Sequence, residues 1–110
     1  MLQFLYRIQP TRVAMLTEGP TEREAAIVAE HFAYLQELAG KGTVLMAGRT
    51  LTTDDNAFGM VVFRAESEAQ ARELVRNDPA VRDGVMQAEL FPYRIALWSA
   101  GVPAGGDAPA

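Results

Sequence analysis

The chain contains no cysteine, which excludes disulfides, thiolate metal sites and a cysteine nucleophile. It contains one histidine, His31, too few for a standard zinc site. Its two serines, Ser67 and Ser99, stand in no nucleophile motif. No Gly-x-Gly-x-x-Gly or Walker pattern is present to cradle a dinucleotide or nucleotide phosphate. Asp54 and Asp55 are neighbouring acids without a further ligand pattern. Neither a metal nor a cofactor is expected.

Long apolar runs are also missing, and nothing approaches the ~20 residues a membrane helix needs. The opening MLQFLYRIQ is interrupted by Arg7 and Pro10 too early for a secretion leader. Lysine is nearly absent: Lys41 stands alone among ten basic residues, and the nine arginines are scattered through a chain of net charge −4. No basic stripe is available for nucleic acid or a membrane surface, so neither is expected as a partner. A cytoplasmic location fits the lack of cysteine and leader.

What is present fits one domain of ordinary size. LQFLYRI (2–8) alternates as a strand, with Leu2, Phe4, Tyr6 and Ile8 on one face and Pro10 as its stop. Residues 9–20 form a long connection. It reads either as a lid or as a surface wrap whose Val13, Met15 and Leu16 patch the core. Thr21 and Glu24 make a capping-box pattern that opens a helix. That helix runs to about Ala39 and stops at Gly40 and Gly42. Its apolar stripe is Ile27, Val28, His31, Leu35 and Leu38, flanked by Phe32 and Tyr34.

TVLMAG (43–48) is a second strand, RTLTTDDNAFG (49–59) a turn and AFGMVVFRA (57–65) a third strand. Ser67 with Gln70 opens a second helix that ends near Asn77, before Asp78-Pro79. A short irregular piece leads to a long last strand over 85–98, in which Pro92 marks an edge or a bulge. Residues 99–110 are small and rich in glycine and proline. They read as a flexible tail, which leaves 1–98 as the domain.

The order β-α-β-β-α-β is the ferredoxin-like arrangement, an α+β fold with an antiparallel four-stranded sheet and two helices on one face. The third and fourth strands carry apolar residues of both parities, which asks for cover on both sheet faces. Two helices supply only one. A homodimer packed sheet to sheet is therefore expected.

His31 is the first candidate for chemistry. A histidine on an apolar helix face fits a packing role, and it equally fits a base tuned by burial. A base needs a group to orient its other nitrogen. Asp78, in RNDPAV (76–81), is the candidate, because antiparallel helices bring the end of the second toward the first half of the first. Asn-Asp-Pro also reads simply as a helix stop. Arg49, beside Gly48 after the second strand, fits an anion clamp or a surface ion pair. Arg7 and Arg12 are candidates of the same type. Tyr6, Tyr34, Phe58 and Met86 are candidate walls of a ligand cleft.

The segments EHFAYLQEL, GTVLMAGRT, AFGMVVF and NDPAVRDGVMQAELFPYRIAL together resemble the YciI-like (YCII-related) family over most of residues 1–98. The most specific pieces are the helix histidine, Ala47-Gly48, Asp78-Pro79 and Gly84-Val85. The resemblance implies a ferredoxin-like fold that pairs into a dimeric α+β barrel. It also implies an active site on a histidine–aspartate pair, here His31 and Asp78. Chemistry known in the family includes elimination of hydrogen halide from a chlorinated hydroxylated aromatic, a substrate not carried over here. Neighbouring barrel groups include monooxygenases and isomerases that work without a cofactor. Three readings follow. One is a small cofactor-independent lyase or isomerase acting on an acidic or aromatic molecule. The second is a non-catalytic binding or sensing module, and the third an interaction protein with His31 in its core.

Overall fold

The computed structural model describes residues 1–101. The expected tail, 99–110, lies for the most part outside the described residues. The elements run β1 (Leu2–Pro10), α1 (Ala14–Thr17), α2 (Glu22–Gly40), β2 (Val44–Arg49), β3 (Gly59–Ala65), α3 (Glu68–Asn77), α4 (Pro79–Arg82) and β4 (Met86–Tyr93). The four strands form one antiparallel sheet in the order β2-β3-β1-β4. This is the α+β, ferredoxin-like architecture expected from the sequence.

Strand parity sorts the sheet into two faces. Phe4, Tyr6 and Ile8 of β1 and Val61, Phe63 and Ala65 of β3 are buried against Leu35 of α2 and Ala71 and Val75 of α3. Phe63 anchors this layer, stacked on Phe4 at 5.8 Å between centroids and edge-on to Tyr6 at 5.7 Å. Such pairs contribute about 0.5–1.5 kcal/mol each beyond the area they bury. The opposite parity, Leu5 and Arg7 with Val62, Met60, Glu89 and Phe91 beside them, faces away from the helices.

The two long helices begin as their signals predict. Thr21 accepts from the Glu24 N–H while the Glu24 carboxylate accepts from the Thr21 N–H, and Ser67 accepts from the Gln70 N–H. Each cap satisfies donors that a helix start otherwise leaves open.

Several boundaries differ from expectation. Residues 9–20 are not structureless: they hold the single-turn helix α1. The irregular piece after α3 is the short helix α4, with Asp78 as N-cap and Pro79 in its first turn. Pro10 does not stop β1 short but closes it, paired with Met86 where the ladder to β3 has already ended at Ile8 and Gly59. β4 ends at Tyr93 rather than Trp98. Among the described residues it is an edge strand beside β1 alone, and the last pairing is Gln3 with Tyr93. Beyond that pair the Ile95 N–H donates to the Gln3 side-chain oxygen, at 2.7 Å. The edge position also accommodates Pro92.

Candidate active site

His31 sits mid-way along α2, one turn beyond Ile27 and one before Leu35, and all three are buried. Its ring meets Asp78, which ends α3 and caps α4 and is fully buried. Nδ1 lies 2.7 Å from Oδ1 and 2.9 Å from Oδ2 of Asp78. Two further donors reach the same carboxylate. The Ala80 N–H donates to Oδ1 at 3.0 Å, and the Tyr6 hydroxyl donates to Oδ2 at 2.8 Å.

This arrangement assigns the imidazole tautomer. An Nδ1 without a proton would face two carboxylate oxygens with no hydrogen between them, so Nδ1 donates, and in the neutral imidazole the lone pair is then on Nε2. Nε2 makes no hydrogen bond among the described residues. No buried side-chain nitrogen or oxygen among the described residues lacks a partner, so Nε2 is open to solvent. Burial, then the Asp78 charge, push the Tyr6 phenol far above the ordinary tyrosine range. Tyr6 therefore remains a donor.

His31 lines a cleft of about 340 Å³, within the size range of small-molecule sites. One wall is α2, through Val28, His31, Phe32 and Leu35. The other is the end of the sheet, through Ile8, Ala47, Gly48, Arg49 and Gly59 to Val61. Met15 and Leu16 of α1, Phe58 and Met86 complete it. Among these lining residues the only ionisable side chains are His31 and Arg49, set in an otherwise mostly apolar surface.

Of the candidates named from sequence, the structure gathers His31, Arg49, Phe58 and Met86 around this cleft, with Asp78 directly behind His31. The others stand elsewhere. Arg7 has the wrong parity: it lies on the sheet face away from the helices, paired with Glu89 at 3.2 Å and set 5.3 Å from the Phe58 ring centre. Arg12 turns to the start of α2, where Nε donates to Glu24 at 3.0 Å and Nη2 also reaches that carboxylate. This fork, ahead of the Thr21 N–H, holds the Glu24 carboxyl down to about 2. Tyr34 points to α3, its hydroxyl donating to the Leu74 carbonyl at 2.7 Å. Burial, then the Asp78 charge, raise its phenol to about 12. Tyr6 is no cleft wall but the buried partner of Asp78. Strand alternation put it on the core face, yet nothing local to residues 2–8 signals a target 72 positions away. Met15 and Leu16, in the segment that reads from sequence as a lid or a core patch, line the cleft, as do Val28 of the helix stripe and Phe32 on its flank.

Asp54 is engaged within its own turn, accepting the Asn56 N–H at 2.9 Å. No cluster of three or more histidine or acidic side chains forms among the described residues. No helix among them is long and apolar enough to cross a membrane.

The solved structures to which the chain is similar include the following two. One is 5-chloro-2-hydroxyhydroquinone dehydrochlorinase (TftG) from Burkholderia phenoliruptrix AC1100, determined in complex with 2,5-dihydroxybenzoquinone. It is 26% identical, with 97% of this chain and 100% of that chain covered and a TM-score of 0.58. The other is an uncharacterized protein from Thermotoga maritima, 11% identical, with 84% of this chain and 96% of that chain covered and a TM-score of 0.53. The second likeness concerns the fold alone. No curated protein matches the sequence. The family model described as YCII-related domain matches residues 4–94, all but the ends of the chain, and the protein belongs to that family.

Proposed function

We propose that the protein is a small cofactor-independent enzyme of lyase or isomerase type, with His31 as general base and Asp78 as the group that orients it. The observation that carries this reading is the Nδ1 contact to both Asp78 oxygens, made by a histidine that lines the cleft. Nε2 takes a proton from an activated C–H of the substrate, and the electron pair of that bond moves into an adjacent carbonyl or ring. The proton then returns at another carbon in an isomerisation. In an elimination the leaving group departs with its bonding pair. Asp78 stabilises the imidazolium formed in between. A positioned base contributes about 10²–10⁴-fold to such a step.

Arg49, the one arginine or lysine among the described lining residues, binds a carboxylate, phenolate or enolate oxygen. The mostly apolar walls suit a small aromatic or acidic molecule. The dehydrochlorinase relative supports a hydroxylated ring as the first class to try. The working unit in this reading is a homodimer joined through the open sheet face, where Met46, Phe91 and Tyr93 are exposed.

A panel of hydroxylated quinones and aromatic acids, 2,5-dihydroxybenzoquinone included, tests the reading. Binding is followed by thermal shift, and proton abstraction by solvent deuterium incorporation or halide release. Turnover is expected to fall about 10²–10⁴-fold in His31→Ala. Binding of anionic members is expected to weaken about tenfold in Arg49→Ala. Full turnover in His31→Ala overturns the base assignment. Binding without exchange or turnover across the panel favours the sensing module instead.

A further inference from the structure

We propose that Tyr6 is a positioning residue of this site: its phenol fixes the Asp78 carboxylate and, through it, the His31 ring with Nε2 open to the cleft. Its functional meaning rests on the proposed role of His31, but the orientation itself can be observed without any substrate.

A carboxylate anchored at one oxygen can still turn about its Cβ–Cγ bond. Asp78 is anchored at both. Oδ1 receives the backbone N–H of Ala80 at the start of α4, and Oδ2 receives the hydroxyl of Tyr6 from the middle of β1. His31, from α2, meets the carboxylate between them, at 2.7 and 2.9 Å. Three elements thus define one plane. Removing the phenol leaves only Ala80 to hold the group. The carboxylate can then turn, and the imidazole it presents loses its fixed tautomer.

Packing does not explain the hydroxyl. Tyr6 is fully buried, edge-on to Phe63 and flanked in the sheet by Val61 and Leu90. A phenylalanine would satisfy those neighbours without having to bury a polar oxygen, which is unfavourable unless it is bonded. The bond it makes goes to the one carboxylate that holds His31. Tyr34 cannot substitute, because its hydroxyl is committed to the Leu74 carbonyl. Burial and the Asp78 charge, which keep the Tyr6 phenol protonated, agree with a permanent donor.

His31 is the only histidine, so ¹⁵N labelling of histidine yields one set of imidazole signals. At about pH 8.5, where an ordinary imidazole is neutral, the intact protein is expected to show a protonated Nδ1 and a lone pair on Nε2. Tyr6→Phe is expected to lower the ratio of the Nδ1–H to the Nε2–H form about tenfold. An unchanged ratio in a folded Tyr6→Phe protein overturns the proposal. Should that variant fail to fold, tyrosine is replaced throughout by 3-fluorotyrosine, whose more acidic hydroxyl is a stronger donor. His31 signals that move in the fluorinated protein support the proposal, and signals that stay fixed overturn it. In the enzyme assay Tyr6→Phe is expected to lower kcat with little change in KM. A changed tautomer ratio alongside full turnover in His31→Ala sinks the catalytic reading and spares the positioning. A fixed ratio alongside His31-dependent turnover does the reverse.

Discussion

Nδ1 of His31 lies 2.7 Å from Oδ1 of Asp78, although the two residues are 47 positions apart, one within α2 and the other between α3 and α4. The contact also ties α2 to the junction of α3 and α4. Asp78 carries three structural duties at once: it ends one helix, caps the next and receives the Tyr6 hydroxyl.

The first prediction follows from those duties. Asp78→Ala removes the acceptor of three donors, two of them on side chains that remain buried, and is expected to destabilise the fold by about 3–5 kcal/mol. Asp78→Asn retains the shape and part of the hydrogen bonding and is expected to cost clearly less. Urea unfolding of the two variants checks this. Equal losses would mean that the amide, despite its matching shape, replaces nothing of what the carboxylate provides.

A second prediction concerns alkaline pH. The Tyr6 phenol ionises well above its ordinary value in the folded chain, whereas the unfolded chain ionises near 10. The folded state therefore binds the proton more tightly. The associated stability is complete below about pH 10 and declines as pH rises beyond it, by up to about 1.4 kcal/mol per pH unit for one group. Tyr34, raised to about 12, adds to the same limb until about pH 12. Denaturant midpoints measured between pH 9 and 11 are expected to fall in the wild type and to fall less steeply in Tyr6→Phe. Parallel curves would remove Tyr6 from the account.

At acid pH the sign reverses. Glu24 is held at about 2 by the Arg12 fork and the Thr21 N–H, below the ordinary glutamate value near 4.3. The unfolded chain takes up that proton first. Stability from the Arg12–Glu24–Thr21 cluster is present above about pH 4.3 and drains away as pH falls toward 2. Glu24→Gln is expected to flatten this limb in denaturation measured from pH 5 to 2.5. Arg12→Ala is expected to speed amide exchange in residues 11–18, the segment whose Met15 and Leu16 line the cleft. Unchanged exchange there would show that the ion pair does not hold the segment.

Much of this protein was legible in one dimension because the relevant forces act within a few residues. The capping box at Thr21, the serine cap at Ser67 and the alternation of Phe4, Tyr6 and Ile8 are local signals, and each produced the element it announces. The same alternation of apolar positions gave the ferredoxin-like order. The long last strand was overread for a complementary reason. Residues 94–98 have strand-like side chains, but a strand also needs a paired neighbour, and the ladder with β1 stops at Gln3 and Tyr93.

The site divides in the same way. Sequence alone determined that His31 lies on the buried stripe of a helix and that Asp78 stops one, since both follow from spacing and backbone restriction. Only the tertiary structure decided that their side chains meet. It also decided that Tyr6 completes the carboxylate's bonding, that Arg49, Phe58 and Met86 reach the same cleft, and that Arg7 and Arg12 do not. Hydrogen bonds act over about 3 Å between groups far apart in the chain, so their partners are set by how strands and helices pack and by no local pattern.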